Sequence, residues 1–88
     1  MKELQKEFEG RGEVRGFKFR QLSETDYGFL YEVSCDGVTH YETFKRKENT
    51  LYNCVSYPTS KAFGIWAWSN TDLEKAKQRL QSFEKHEE

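Results

Sequence analysis

Apolar and polar residues alternate most regularly between Tyr27 and Cys35. The odd-numbered positions of this stretch are Tyr27, Phe29, Tyr31, Val33 and Cys35. The positions between them are mostly small or polar, and this period of two predicts a β-strand. Asp36 and Gly37 follow directly, and this dipeptide favours the type I′ turn of a two-residue hairpin. The pattern therefore predicts a hairpin whose second strand begins at Val38.

A two-residue turn also fixes which residues of the two strands lie opposite each other. On one face, the predicted pairs are Cys35 with Val38, Val33 with His40, Tyr31 with Glu42, and Phe29 with Phe44. On the other face, they are Glu32 with Tyr41 and Leu30 with Thr43. The pairing of Phe29 with Phe44 supports this register, since facing aromatic side chains stabilise a sheet.

A strand is predicted before this hairpin, over residues 12–22. Phe17 and Phe19 point to one face of it, while the basic residues between and beyond them point to the other. Val14 is out of phase with Phe17, which predicts a bulge near Gly16. A polar turn at residues 23–26 then leads into the hairpin.

Two more strands are predicted after the hairpin. Residues 50–57 form the first and Pro58 ends it. Residues 61–69 form the second, which is apolar on both faces and places Trp66 and Trp68 on the same side. Strands joined by short turns usually pair with their neighbours in sequence, so the sheet is predicted to be a meander spanning residues 12–69.

The C-terminal segment carries a helical pattern over residues 71–84. Thr71 followed by Glu74 matches a capping box. One apolar stripe with 3-4-3 spacing follows, formed by Leu73, Ala76, Leu80 and Phe83. A single stripe predicts one buried face, so the helix is expected to pack on the sheet. Residues 85–88 are expected to fray.

At the other end, residues 1–10 are predicted to form a short helix or a frayed arm. Leu4 and Phe8 have the spacing of one helix face, and Gly10 suits a helix end. Such a short segment does not hold a helix alone in water. Docking of Leu4 and Phe8 on the rest of the chain would be needed to order it.

These elements predict an α+β fold. It consists of an antiparallel β-meander of four to five strands with the C-terminal amphipathic helix packed on one face. Residues 1–88 are expected to form a single domain, since 88 residues suit one core. Only 35% of the residues are hydrophobic, but seven Phe, five Tyr and two Trp supply large apolar surfaces for that core.

Net charge and cysteine content limit the binding partners and the cellular location that the sequence predicts. The net charge of −1 gives no global attraction to nucleic acid or anionic lipid. The first residues lack the apolar run of a secretory signal, and no apolar stretch predicts association with a membrane. Cys35 and Cys54 do not form a disulfide framework. A cytoplasmic protein with reduced thiols is therefore expected, without a cofactor or a metal.

The residues that suggest a binding function are aromatic and basic. They are Lys18, Arg20, Tyr41, Lys45, Trp66 and Trp68, which are predicted to share the sheet face opposite the phenylalanines. Aromatic side chains with neighbouring cations can stack on and neutralise single-stranded nucleic acid. A peptide or a protein surface would also suit such a face. The alternative is that both tryptophans belong to the core, beneath the C-terminal helix.

A catalytic function is the least favoured of three hypotheses. His40 and Glu42 share a strand face and could act with Cys35 or Cys54, but their spacing matches no catalytic motif. His86 lies in the expected tail, so two histidines do not suggest a metal site. The chain is therefore predicted to be a binding module rather than an enzyme. The second hypothesis is a self-associating accessory protein, such as a homodimer formed through an edge strand.

Overall fold

The computed structural model describes residues 1–83 and contains seven strands, two short 3₁₀ helices and one α-helix. The strands are β1 (Glu7–Glu9), β2 (Lys18–Glu24), β3 (Gly28–Cys35), β4 (Val38–Lys45), β5 (Glu48–Asn49), β6 (Cys54–Val55) and β7 (Ala67–Asn70). The 3₁₀ helices are Gly12–Val14 and Ser60–Ala62, and the α-helix α1 is Leu73–Ser82. The predicted helix end at Glu84, the tail at 85–88 and His86 lie outside the described residues.

The predicted hairpin is confirmed in type and register. Asp36 has φ 52° and Gly37 has φ 80°, the left-handed conformations that a type I′ turn requires. Phe29 lies opposite Phe44, and the other five predicted pairs are also present. The hairpin forms the centre of a five-stranded antiparallel sheet with the order β1-β2-β3-β4-β7. The α+β fold predicted from the sequence is therefore confirmed.

Helix α1 covers part of one sheet face. Ala76, Leu80 and Phe83 bury their side chains with Leu30 of β3, as the apolar stripe predicted. The Thr43 hydroxyl donates a hydrogen bond to the carbonyl oxygen of Ala76 at 3.3 Å, which ties the helix to β4. We call this side of the sheet the helix face.

The N-cap of the helix lies one residue later than the capping box predicted. Asp72 is its N-cap, and its carboxylate accepts a hydrogen bond from the amide of Glu74 at 2.9 Å. The capping bond therefore joins residues two positions apart, whereas the predicted bond from Thr71 to Glu74 would join residues three positions apart. An acidic residue at this position also interacts favourably with the helix dipole.

The opposite face of the sheet holds a second, mainly aromatic core, and we call it the aromatic face. Its buried residues are Phe19, Phe29, Tyr31, Val33, Phe44, Val55, Ala62 and Ala67. The chain between β4 and β7 crosses over this face and places the Tyr57 ring within 4.7–5.5 Å of four other rings. Aromatic packing on both faces supplies the burial that the low aliphatic content does not.

The N-terminal segment differs from the predicted short helix. Glu7–Glu9 forms strand β1, which pairs with β2, and the preceding residues form a bridge at Lys2 and a bend at Lys6 but no helix. Leu4 and Phe8 do pack on the aromatic core, but from a segment that is not helical. Pairing with β2 satisfies backbone groups that a helix of nine residues would leave largely exposed.

An ion-pair network fastens the same segment to the rest of the molecule. Arg46 contacts the carboxylates of Glu3 at 2.6 Å and Glu48 at 2.9 Å. The amide of Lys2 donates to the carbonyl of Asn53 at 2.9 Å. These contacts hold the N-terminal arm across the aromatic face.

Three further expectations from the sequence need correction. The strand predicted over residues 50–57 is reduced to β6, which pairs with β5 outside the main sheet. The strand predicted over residues 61–69 begins only at Ala67, because a 3₁₀ helix and a turn at Gly64, φ 91°, precede it. The strand predicted over residues 12–22 begins only at Lys18, after a 3₁₀ helix at Gly12–Val14, and its irregularity lies between Gln21 and Ser23 rather than near Gly16.

The packing of α1 gives a stability prediction. Leu80→Ala should lower the free energy of unfolding by about 2–4 kcal/mol, because it leaves a cavity between the helix and Leu30. The exposed neighbour Gln81 provides a matched control, and Gln81→Ala should change stability by less than about 0.5 kcal/mol. Urea unfolding measures both. Equal effects of the two substitutions would contradict the packing of α1 on the sheet.

Candidate ligand-binding cleft

Five of the six predicted binding residues lie on the helix face. In the strand register, Arg20 is opposite Glu32 and Glu32 is opposite Tyr41. Lys18 and Lys45 are two and four residues along the same strands, and successive side chains of a strand alternate between faces. Trp68 packs against the helix cluster, whereas Trp66 packs on the aromatic core, with its ring 6.4 Å from Phe44. The two tryptophans therefore lie on opposite faces.

Most of these side chains already have partners within the molecule. Arg20 donates two hydrogen bonds to Glu32 at 3.0 and 3.2 Å. The guanidinium of Arg79 lies 4.5 Å from the centre of the Trp68 ring. In the register of β1 with β2, Glu7 and Glu9 are opposite Arg20 and Lys18. This part of the helix face is therefore mixed in charge rather than basic.

The basic run at residues 45–47 has a structural explanation. Lys45 lies 5.9 Å from the centre of the Phe83 ring, Arg46 lies 5.9 Å from Phe29, and Lys47 lies 5.8 Å from Trp66. Cations at such distances are attracted to the negative face of an aromatic ring. The run therefore covers aromatic residues on both sides of the sheet.

A concave site lies on the aromatic face. We call it the aromatic cleft, a volume of about 930 Å³ between the N-terminal segment and the chain that crosses the sheet. Its apolar lining includes Phe8, Phe19, Tyr57, Pro58 and Phe63. Its polar lining includes Glu9, Arg11, Glu13 and Glu42. None of these four polar residues belongs to the six predicted binding residues.

Glu42 has a hydrogen-bond partner at each carboxylate oxygen within the aromatic cleft. One carboxylate oxygen accepts a hydrogen bond from the Tyr57 hydroxyl at 2.7 Å, and the other lies 2.9 Å from Nε2 of His40. Its side chain is 14% exposed, so it is mostly shielded but not closed off. The sequence predicted that His40 and Glu42 share a face, but it gave no sign that Tyr57 joins them.

The two tyrosines around the aromatic cleft are held as neutral hydrogen-bond donors. Burial raises the pKa of Tyr57, and the adjacent negative charge of Glu42 raises it further. Burial also raises the pKa of Tyr31, whose hydroxyl donates to the carbonyl of Gln5 at 2.6 Å. The second bond fastens the N-terminal wall of the cleft to the central strand.

The side chain of His40 forms a hydrogen bond with Glu42. In residues 1–83, no hydrogen bond joins His40 to either cysteine, and Cys35 instead lies 3.9 Å from the carboxylate of Asp36. The described part of the chain also contains no group of three His, Cys, Asp or Glu side chains able to hold a metal ion. The arrangement offers a shielded acceptor beside aromatic walls.

Comparison with known proteins found no matching family model, no significantly similar curated protein and no significantly similar solved structure. Within residues 1–83, no helix has the length and apolar character needed to cross a bilayer. The assignment of a function therefore depends on the geometry described above.

The raised pKa of Tyr57 gives a prediction for alkaline pH. A buried phenol keeps its proton, whereas the unfolded chain releases it above its ordinary pKa of about 10. The stabilisation is therefore complete below pH 10 and declines as the pH rises further. At pH 11, the loss due to Tyr57 should be about 1.4 kcal/mol.

Urea unfolding between pH 8 and pH 11 tests this expectation. Tyr57→Phe should make the alkaline decline shallower, although it lowers stability at pH 8 through the lost bond to Glu42. Tyr52→Phe is the control, since that side chain is 74% exposed, and it should keep the wild-type slope. An unchanged slope in Tyr57→Phe would contradict the assignment.

Proposed function

We propose that the chain is a small non-catalytic binding module and that its ligand enters the aromatic cleft. The observation that carries this proposal is the combination of concave shape and aromatic lining in a volume of about 930 Å³. Ligand sites in proteins have volumes of roughly 300–1,000 Å³, apolar walls and a few ordered polar groups. Glu42, held by His40 and Tyr57, is such a polar group.

The chemistry of the aromatic cleft favours a ligand that combines an aromatic or apolar group with a hydrogen-bond donor. Phe8 and Phe63 are half-buried, so a bound apolar group would remove further aromatic surface from water. A carboxylate only accepts hydrogen bonds, and each oxygen of Glu42 has capacity beyond its present bond. A ligand donor in this shielded place would form a strong, charge-assisted bond.

The helix face is a weaker candidate than the aromatic cleft. Arg20 is paired with Glu32 and Lys18 lies opposite Glu9 in the strand register, so a nucleic acid phosphate would meet carboxylates beside both cations. Trp66 lies on the other side of the sheet and cannot stack with Trp68 on one ligand. We therefore place the binding function on the aromatic cleft instead of the six residues that the sequence suggested.

Self-association through an edge strand is the alternative function. β1 is an edge of the main sheet, and pairing two copies about Phe8 would place Glu7 opposite Glu9 twice. Facing like charges destabilise a sheet. Light scattering should therefore find a monomer at neutral pH over a wide concentration range. A stable dimer that persists at low concentration would favour the alternative.

A catalytic role for His40 and Glu42 remains the least favoured proposal. Both oxygens of Glu42 have a hydrogen-bond partner within the protein, which suits a fixed acceptor. A nucleophile bonded to His40 would support catalysis, and the described hydrogen bonds provide none. The geometry therefore adds support to binding rather than to reaction.

Amide-resolved NMR titration tests the binding proposal. The probes are phenol, indole and benzylamine, each of which combines an aromatic ring with a hydrogen-bond donor. At least one probe should shift the amide signals of residues 5–14 and 57–63, which surround the aromatic cleft. Phe63→Ala should weaken that binding severalfold, because it removes one aromatic wall.

Ile65→Ala provides the matched control. Ile65 lies two residues from Phe63 and is 72% exposed, but it does not line the aromatic cleft. Its substitution should leave probe binding unchanged, and circular dichroism checks that both variants fold. If no probe shifts the cleft signals, or if both variants bind equally well, the proposal is wrong.

A further inference from the structure

Within residues 1–83, strand β1 pairs only with β2, and the backbone groups on its outer side have no partner strand. The amide of Gly10 donates to Phe17 at 2.8 Å, and the amide of Gln21 donates to Lys6 at 2.7 Å. Backbone hydrogen bonds in an antiparallel ladder alternate between residues, so Phe8 bonds to β2 and its two neighbours point away from it. The amides and carbonyls of Glu7 and Glu9 therefore face the open edge of the sheet.

The side chains along this edge have a definite sidedness. Phe8 lies on the aromatic face, where its ring stacks on Phe19 at 4.7 Å and lines the aromatic cleft. The side chains of Glu7 and Glu9 alternate with that of Phe8 and so project to the helix face, and Glu9 also borders the aromatic cleft. An added strand would therefore meet an aromatic surface on one side and two carboxylates on the other.

The charges on the helix face form an alternating row across the sheet. Glu32 of β3 is opposite Arg20 of β2, and Arg20 is opposite Glu7 of β1. A second, shorter row places Lys18 opposite Glu9. Opposite charges in facing positions stabilise neighbouring strands. A strand added beside β1 would therefore be stabilised by a cation opposite Glu7 and another opposite Glu9. These carboxylates also line a shallow cavity of about 430 Å³ on this side.

We infer that β1 binds an extended peptide as a sixth strand of the sheet. Alternate Lys or Arg side chains of the peptide face Glu7 and Glu9, and an aromatic side chain between them lies beside Phe8 at the aromatic cleft. Backbone bonds to Glu7 and Glu9 hold the peptide, as in other cases of strand addition. This inference rests on the proposed binding function and specifies its ligand as a basic, alternating peptide.

Three capped peptides test the inference by amide-resolved NMR titration. The first, Val-Lys-Phe-Lys-Val, has the required alternation, the second, Val-Glu-Phe-Glu-Val, reverses the charge, and the third, Lys-Lys-Phe-Val-Val, breaks the alternation. The first should shift the amides of Glu7 and Glu9 and bind at least about tenfold more tightly than the other two. Its affinity should fall as sodium chloride is added.

Charge substitution on the protein sharpens this test. Both glutamates are exposed, so the double variant Glu7→Gln/Glu9→Gln should fold normally and lose most of the preference for the lysine peptide. The variant Glu7→Lys/Glu9→Lys should prefer the glutamate peptide. Glu74→Gln is the control, because the Glu74 side chain is 74% exposed, belongs to α1 and lines neither cavity, and this variant should bind like the wild-type protein.

The outcomes separate this inference from the proposed function. Equal binding of all three peptides, or shifts that avoid Glu7 and Glu9, would overturn the inference. If the aromatic probes still bind the cleft in that case, the broader proposal survives. If the lysine peptide binds at β1 while no aromatic probe shifts the cleft signals, strand addition is supported and the cleft is not the source of the affinity.

Discussion

The ring of Tyr57 is the contact on which the second side of this molecule depends. It packs edge-on against Phe8, Phe19, Tyr31 and Phe44, which belong to four different strands. Its hydroxyl donates to Glu42, so one side chain holds the crossing chain on the sheet and orders the acceptor in the aromatic cleft. In a chain with few aliphatic residues, this aromatic contact substitutes for a layer of leucine and isoleucine.

The parts of the fold that follow from local rules could be predicted. The turn at Asp36 and Gly37 fixed the register of eight paired positions from Gly28 to Lys45, because its geometry leaves one pairing that buries Phe29 and Phe44. The apolar stripe of α1 also depends only on residues three or four positions apart, so the helix could be predicted in the same way. Residues 46–66 followed no such rule, since they are held by contacts with distant residues such as Glu3 and Tyr31, and short β-bridges leave no periodic pattern.

The candidate site was predicted less completely than the fold, for a related reason. Strand alternation correctly placed Lys18, Arg20 and Tyr41 on one face, but it did not reveal that Arg20 is paired with Glu32. The turn at Gly64 separated Trp66 from Trp68, and a run that is apolar on both faces gave no hint of it. The aromatic cleft joins residues about fifty positions apart, so its existence depends on the tertiary fold alone.

This wide separation in sequence has a consequence for how the molecule assembles. The hairpin of β3 and β4 closes a loop of two residues, and short loops cost the least chain entropy. The aromatic cleft instead needs the N-terminal arm and the chain around Tyr57 to be docked together. Every partly folded state that releases either segment lacks the cleft. A ligand bound there would therefore draw the population toward the complete native state, and its occupancy would appear as resistance to unfolding and slower hydrogen exchange across the whole sheet.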